Sequence, residues 1–167
     1  MIRLATHSDF QFIFDLYMHP VVNPYLLYER MDATEFQPIF AQLLEAQVLY
    51  IFHDEAQAAG MFKLVPNRHR TSHIAYIGGV AIDPQLTGKG LGKKMFQEIL
   101  ALGQAQDLHR LELSVSVENR RAIELYTQCG FVAEGILRDY TYLKSEDRFI
   151  NEVLMSYLYP HQSKEIN

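Results

Sequence analysis

Apolar positions recur along this chain in two rhythms, one of period two and one of period near 3.6, and the switches between them mark out its elements. Ile2-Arg3-Leu4-Ala5 reads as a short strand, and Phe12, Ile13, Leu16 and Tyr17 fall at helical spacing behind the capping residues Thr6 to Asp9. A second helix, capped by Asp32 or Thr34, carries Phe36, Ile39, Phe40, Leu43 and Leu44. β-Branched and aromatic residues over 47–53 and an apolar run over 58–65 predict a hairpin that turns at Asp54-Glu55. A strand over about 72–82 leads into a helix with Leu91, Met95, Ile99 and Leu102 on one face, ending between Gly103 and Asp107. From His109, Leu111, Leu113, Val115 and Val117 alternate with polar neighbours, which is a strand with one apolar face. Glu118-Asn119 ends it and caps a helix containing Ala122, Leu125, Tyr126 and Cys129, closed by Gly130. Two long strands, 131–142 and 149–159, follow, joined by Lys144 to Asp147.

Two stretches break the pattern. Residues 19–30 form a proline-punctuated loop rich in large apolar side chains, so the segment is expected either to pack or to line a pocket. Gly78-Gly79 lies inside a predicted strand, where glycine marks a bulge or the close approach of another backbone.

Composition narrows the class without naming it. The 167 residues suit a single domain over 1–160 with a polar tail over 161–167, and 49% hydrophobic with 21% charged residues is ordinary for a globular protein. A formal charge of −5 argues against general nucleic-acid binding. It leaves a local phosphate site open, because exposed charges are screened beyond about 8 Å at physiological salt. The single cysteine, Cys129, excludes an internal disulfide and is expected to be a core thiol. No basic-plus-apolar leader opens the chain and no apolar run is long enough to span a membrane, so the expected location is the cytoplasm with no membrane partner. His73 and His109 lack metal-ligand spacing and read as strand residues, so no metal is expected.

The stretch with chemistry in it is Gln85-Leu86-Thr87-Gly88-Lys89-Gly90-Leu91-Gly92-Lys93-Lys94, after a strand and at the start of a helix. The first N–H groups of a helix lack internal partners and sit at the positive end of its dipole, so such a junction holds phosphate through the main chain. The spacing fits neither a nucleotide P-loop nor a dinucleotide fingerprint, which needs a third glycine where Lys93 stands. The segment resembles the acyl-CoA pyrophosphate loop of the GNAT superfamily of N-acyltransferases, Gln/Arg-x-x-Gly-x-Gly/Ala. In the preferred frame Gly90 and Gly92 are the paired glycines and Thr87 replaces Gln/Arg; the other frame uses Gln85, Gly88 and Gly90. A second stretch, Asn119-x-x-Ala122-x-x-Leu125-Tyr126-x-x-x-Gly130-Phe131 with Glu134-Gly135, is similar to the other signature of that superfamily, 29 residues after Gly90. Gly135 to Tyr140, with Glu152 to Met155, resembles the branch that acetylates amino acids, polyamines or protein α-amines.

The resemblance implies an α/β (α+β) fold: a mixed, mostly antiparallel sheet of six or seven strands flanked by helices, its central parallel strands splayed to admit the cosubstrate. It implies transfer of an acetyl group from acetyl-CoA to a small amine, an amino acid or a peptide α-amine, by direct attack. Gly79, Val80, Ala81 and Ile82 would pair with the pantetheine arm. Thr87, Gly88, Lys89, Gly90, Leu91, Gly92 and Lys93 would hold the pyrophosphate. Asn119 would hold pantetheine or a water, and Tyr126 would be the general acid. A tyrosine near pKa 10 protonating a thiolate near 8.5 works uphill by roughly 2 kcal/mol, a deficit that positioning can offset.

The base is less legible. An alkylammonium near pKa 10 must lose a proton at a cost of about 4 kcal/mol at neutral pH, while an α-amine near 8 loses it more cheaply. Many relatives place a carboxylate where Tyr76 stands here. Glu112, on the polar side of its strand, and Glu29, in the aromatic loop, are the available candidates. The absence of an acidic cluster in that loop counts against a polyamine acceptor. An acyl-CoA-binding regulatory module without turnover is the alternative, distinguished by cofactor affinity without thiol release; a simple phosphate binder would ignore CoA. The final strand pair offers an edge for a homodimer.

Overall fold

The hairpin expected at Asp54-Glu55 forms, turning at Glu55-Ala56, as two neighbouring strands of a seven-stranded sheet in a computed structural model that describes residues 1–160. The tail expected over 161–167 lies outside the described residues. The strands are β1 (Ile2–Leu4), β2 (Leu49–Asp54), β3 (Gln57–Pro66), β4 (Ile74–Ile82), β5 (Arg110–Ser116), β6 (Val132–Leu143) and β7 (Arg148–Leu158). Their order is β1-β2-β3-β4-β5-β7-β6, and every neighbouring pair is antiparallel except β4 with β5.

Helices α1 (Phe10–Met18), α2 (Ala33–Glu45), α3 (Leu91–Ala105) and α4 (Arg120–Gln128) cover the two faces. Asp32 is the cap of α2: it accepts from the Glu35 amide, and the Glu35 carboxylate accepts from the Asp32 amide in return. One apolar cluster joins α1 and α2 to Leu49, Ile51, Met61 and Ala81; the other joins α3 and α4 to Phe52, Phe62, Ala75, Ile77, Leu111 and Leu113. Alternation along β2 and β3 therefore feeds two cores, one on each side of the sheet.

Strand β4 does not alternate simply. Lys63 is opposite Gly78 and Met61 is opposite Ala81, so one residue of β3 faces two of β4, Gly79 and Val80. This bulge holds Gly79 at φ +57°, in the left-handed region that glycine enters at little cost. It also reverses the faces of the strand: Ala75 and Ile77 point to the α3–α4 core, whereas Ala81 points to the α1–α2 core.

The parallel pairing of β4 with β5 covers only Ile74 to Tyr76 against Arg110 to Glu112. Beyond those residues the strands part, as the sequence resemblance implies. A side-chain link spans the start of the gap, with the Tyr76 hydroxyl 2.7 Å from the Ser114 hydroxyl.

Candidate active site

The parting of β4 and β5 opens a cavity of about 310 Å³. Tyr76 and Gly78 to Val80 line one side of it, Leu113 to Ser116 the other, and Asn119 and Tyr126 of α4 close one end. The loop at 19–30 both packs and lines. Asn23 is buried and its side-chain amide donates to the Tyr17 and Tyr28 carbonyls at 2.7 and 2.9 Å, while Tyr25 and Leu27 stay exposed at the cavity wall. Opposite, Tyr140, Thr141, Ile150 and Glu152 enter from the last strand pair. They reach it because β6 is bulged between Leu137 and Thr141, with Asp139 at φ +50° and its amide bound to the Asn151 side chain at 2.8 Å.

Tyr126 has its ring among Phe96 and Phe131, with centroids 4.9 and 6.2 Å away. It lines the cavity, and its hydroxyl has no hydrogen-bond partner among the described residues. Burial, with smaller contributions from Tyr76 and Cys129, pushes this phenol well above its ordinary value, so it stays protonated throughout the neutral range. Asn119 caps α4, its side-chain oxygen accepting from the Ala122 amide at 3.2 Å, and that cap fixes the helix that carries Tyr126.

The glycine loop enters α3 as expected, and its glycines have different jobs. Gly88 and Gly90 adopt φ of +84° and +71°, and a Cβ on either would meet nothing within 4 Å, so their surroundings are open. Gly90 is the residue before α3, and no side chain caps that end, which leaves the first amides of the helix, from Leu91 through Lys93, facing outward. A Cβ on Gly92 would lie 2.9 Å from a terminal methyl of Leu125, so Gly92 favours the close approach of α3 to α4 and any larger residue makes that side chain move. The Thr87 hydroxyl donates to the Pro84 carbonyl at 3.0 Å and closes the preceding turn. Lys94 pairs with Asp54 at 3.2 Å, leaving Lys89 and Lys93 as the exposed cations of the loop. Open glycines, outward amides and two lysines at the start of α3 fit the pyrophosphate of an acyl-CoA, although no residue from 81 to 93 is itself in the cavity lining.

The two carboxylates read from sequence lie away from the cavity lining. Glu112 pairs with Arg110 at 3.4 Å, and the Lys144 amide donates to Glu29 at 3.3 Å near the exposed turn after β6. The acidic group that does line the cavity is Glu152, which accepts from the Thr141 hydroxyl at 2.6 Å; the Tyr76 phenol is raised chiefly by burial, with a smaller contribution from the Glu152 charge. A buried lysine, Lys63, lines it as well. Both were visible as polar breaks in apolar strands, Met61-Phe62-Lys63-Leu64 and Glu152-Val153-Leu154-Met155, but their meeting depends on the two bulges. Cys129 packs against the α3–α4 core and burial pushes its thiol up, as suits an unreactive side chain. No helix of the described residues is long and apolar enough to cross a membrane.

A sheet parted between two parallel strands, with the bulged strand followed directly by a glycine-led helix, suits an acyl-CoA-dependent acyltransferase. The chain belongs to the acetyltransferase (GNAT) family, whose profile matches residues 10–131, and is an N-acetyltransferase by class. It is 26% identical to a spermidine N(1)-acetyltransferase of Vibrio cholerae, over 99% of this chain and 95% of that one. It is also 36% identical to a putative ribosomal protein bS18-alanine N-acetyltransferase of Bacillus subtilis, over 46% of this chain and 50% of that one. The fold superposes on Vibrio cholerae spermidine N-acetyltransferase in complex with CoA and spermine with a TM-score of 0.82 at 22% identity, covering 95% and 94% of the two chains. A ribosomal-protein-alanine N-acetyltransferase from Brucella melitensis gives 0.79 at 19% identity, covering 95% and 99%.

Proposed function

We propose that the protein transfers the acetyl group of acetyl-CoA directly to a primary amine, with Tyr126 as general acid and Glu152 as the group that receives the amine proton. The observation that carries this reading is a single cavity in the parted sheet that brings together the bulged edge of β4, the Tyr126 hydroxyl and the Glu152 carboxylate. The relatives named above act on amines, which supports the acceptor class.

Acetyl-CoA supplies an activated acyl carbon, and the protein supplies position and protons. Open amides and lysines from Thr87 to Lys93 suit the pyrophosphate, and the stretch from Gly79 to Ile82 suits the pantetheine. Past Tyr76 the edge of β4 has no partner strand in β5, so main-chain groups there are free to bind a ligand. The amine must be neutral to attack, and Glu152, reached directly or through a water, accepts the proton it sheds. Its hydrogen bond from Thr141 fixes the carboxylate toward the cavity. The phenol of Tyr126 stays protonated and can donate to the departing sulfur. Burial that lifts the phenol also lifts the thiol released beside it, so the mismatch between them stays modest. Asn119 keeps its side-chain nitrogen for the cosubstrate or a water while its oxygen caps α4.

Free-thiol release from acetyl-CoA across amino acids, polyamines and short peptides tests the reading. Tyr126→Phe should lower kcat by about 10²–10⁴-fold with KM for acetyl-CoA little changed. Undiminished turnover in that variant would remove the acid assignment, and failure to bind acetyl-CoA would remove the reading altogether.

A further inference from the structure

Lys63 is the one lysine of the described residues that the fold buries, at 8% exposure, and it does so in the wall of the cavity. Its position follows from the bulge. It is opposite Gly78, and its aliphatic chain runs over the glycine pair: a Cβ on Gly79 would lie 3.3 Å from its Cε, and one on Gly78 3.6 Å. A side chain at 79 would crowd that path, whereas a Cβ at 78 would only touch it. The ammonium ends 5.3 Å from the centre of the Tyr28 ring. Among the described residues it has no carboxylate partner and no hydrogen bond, and burial pulls its pKa below the ordinary lysine value.

The side chain is buried along its length while the ammonium stays open to the cavity, so the cation has one aromatic contact and no opposite charge beside it, a pairing that an anionic group can complete. Lys63 does face the cavity, so a ligand can supply what the protein does not. The same cavity has a single carboxylate, Glu152, and two hydroxyl-bearing strands. Its charge pattern is thus one cation and one anion, in a lining that also includes the apolar residues Leu26, Leu27 and Ile150. A polyamine would bring further positive charge to a chamber that already contains an unpaired cation, and like charges repel more strongly in a partly buried site than in bulk water. A molecule with one amine and one carboxylate matches both signs.

We propose that the acceptor is a small amine that also carries a carboxylate, of the α-amino acid type, and that Lys63 binds the carboxylate while Glu152 serves the amine. This rests on the preceding reading that an amine is acetylated in this cavity. It goes beyond that reading by assigning the charge of the acceptor and a residue that selects it.

The test pairs each of a panel of α-amino acids with its own carboxamide, adds spermidine, and compares wild type with Lys63→Met and Lys63→Gln. Affinity is measured by calorimetry on the CoA-bound enzyme, and turnover by thiol release. Wild type should bind at least one amino acid about 10²-fold more tightly than its carboxamide, and both variants should lose that preference while keeping the carboxamide affinity. Where turnover is seen, the variants should raise KM for the amino acid with kcat within a few-fold of wild type. Equal binding of acid and carboxamide by wild type, tighter binding of spermidine than of any amino acid, or an unchanged preference in both variants would each overturn the proposal. The binding arm needs no chemistry, so carboxylate-selective binding without thiol release would uphold the role of Lys63 and refute the transferase reading instead.

Discussion

Tyr17 is fully buried, its hydroxyl has no hydrogen-bond partner among the described residues, and desolvation pushes its pKa far above the ordinary phenol value. The oxygen lies 2.7 Å from where a Cβ on Gly79 would stand. A buried donor without a partner forfeits its hydration, so Tyr17→Phe should stabilise the protein by about 1–2 kcal/mol in urea unfolding. Gly79→Ala should destabilise it by roughly 2 kcal/mol or more, from left-handed strain and the contact with that oxygen together. In a Tyr17→Phe background the same substitution should cost less, because only the strain remains. A destabilised Tyr17→Phe would mean that the hydroxyl has found a partner on the bulged strand. The doubled glycine was readable as an interruption; what it makes room for, a phenol from α1 and a lysine from β3, was not, since both come from residues distant in sequence.

At the scale of elements, the loop from Thr87 to Lys93 separates two duties that a motif merges. Gly90 is open and left-handed, so Gly90→Ala should raise KM for acetyl-CoA by distorting the outward amides, with stability lowered by only about 1 kcal/mol. Gly92 is helical and its missing Cβ admits Leu125, so Gly92→Ala should act mainly on the α3–α4 contact. That contact positions Tyr126, one residue on, and the expected signature is a lower kcat and lower melting temperature with KM for acetyl-CoA nearly unchanged. Titrating acetyl-CoA in steady-state assays of both variants separates the two; the reverse assignment of effects would return Gly92 to the phosphate site. The order of elements, the parting of β4 from β5 and the cap at Asn119 were legible because each depends on local pattern and a linear signature. The carboxylate that lines the cavity was not. Glu112 and Glu29 had the right chemistry, but Glu112 is engaged with Arg110 and Glu29 is turned toward Lys144. Glu152 reaches the cavity only because β7 pairs beside β5, a long-range choice that no local pattern announces.

Across the whole molecule one sheet serves two cores, and β2, β3 and β4 contribute side chains to both. Phe36, fully buried, anchors the α1–α2 side among Phe10, Phe14, Tyr17, Tyr28 and Phe40. Phe96, equally buried, anchors the α3–α4 side against Tyr126 and Phe131. Because the strands are shared, neither core can melt while leaving the other a complete sheet to pack on, and the chain should unfold as one unit. Phe36→Ala and Phe96→Ala should each cost roughly 3–5 kcal/mol, and at about 2–4 °C per kcal/mol each should lower the melting temperature of the entire transition. Differential scanning calorimetry distinguishes this from two loosely joined halves. Agreement of calorimetric and van't Hoff enthalpies in both variants is the expected result, and a transition that splits in either one would show that the halves fold apart. The consequence for the site is direct: the cavity lies between the two cores, bounded by Tyr126 from one and by the loop over α1 from the other. Its geometry is then as stable as the whole chain, and the charges of Lys63 and Glu152 are held in place by the entire fold.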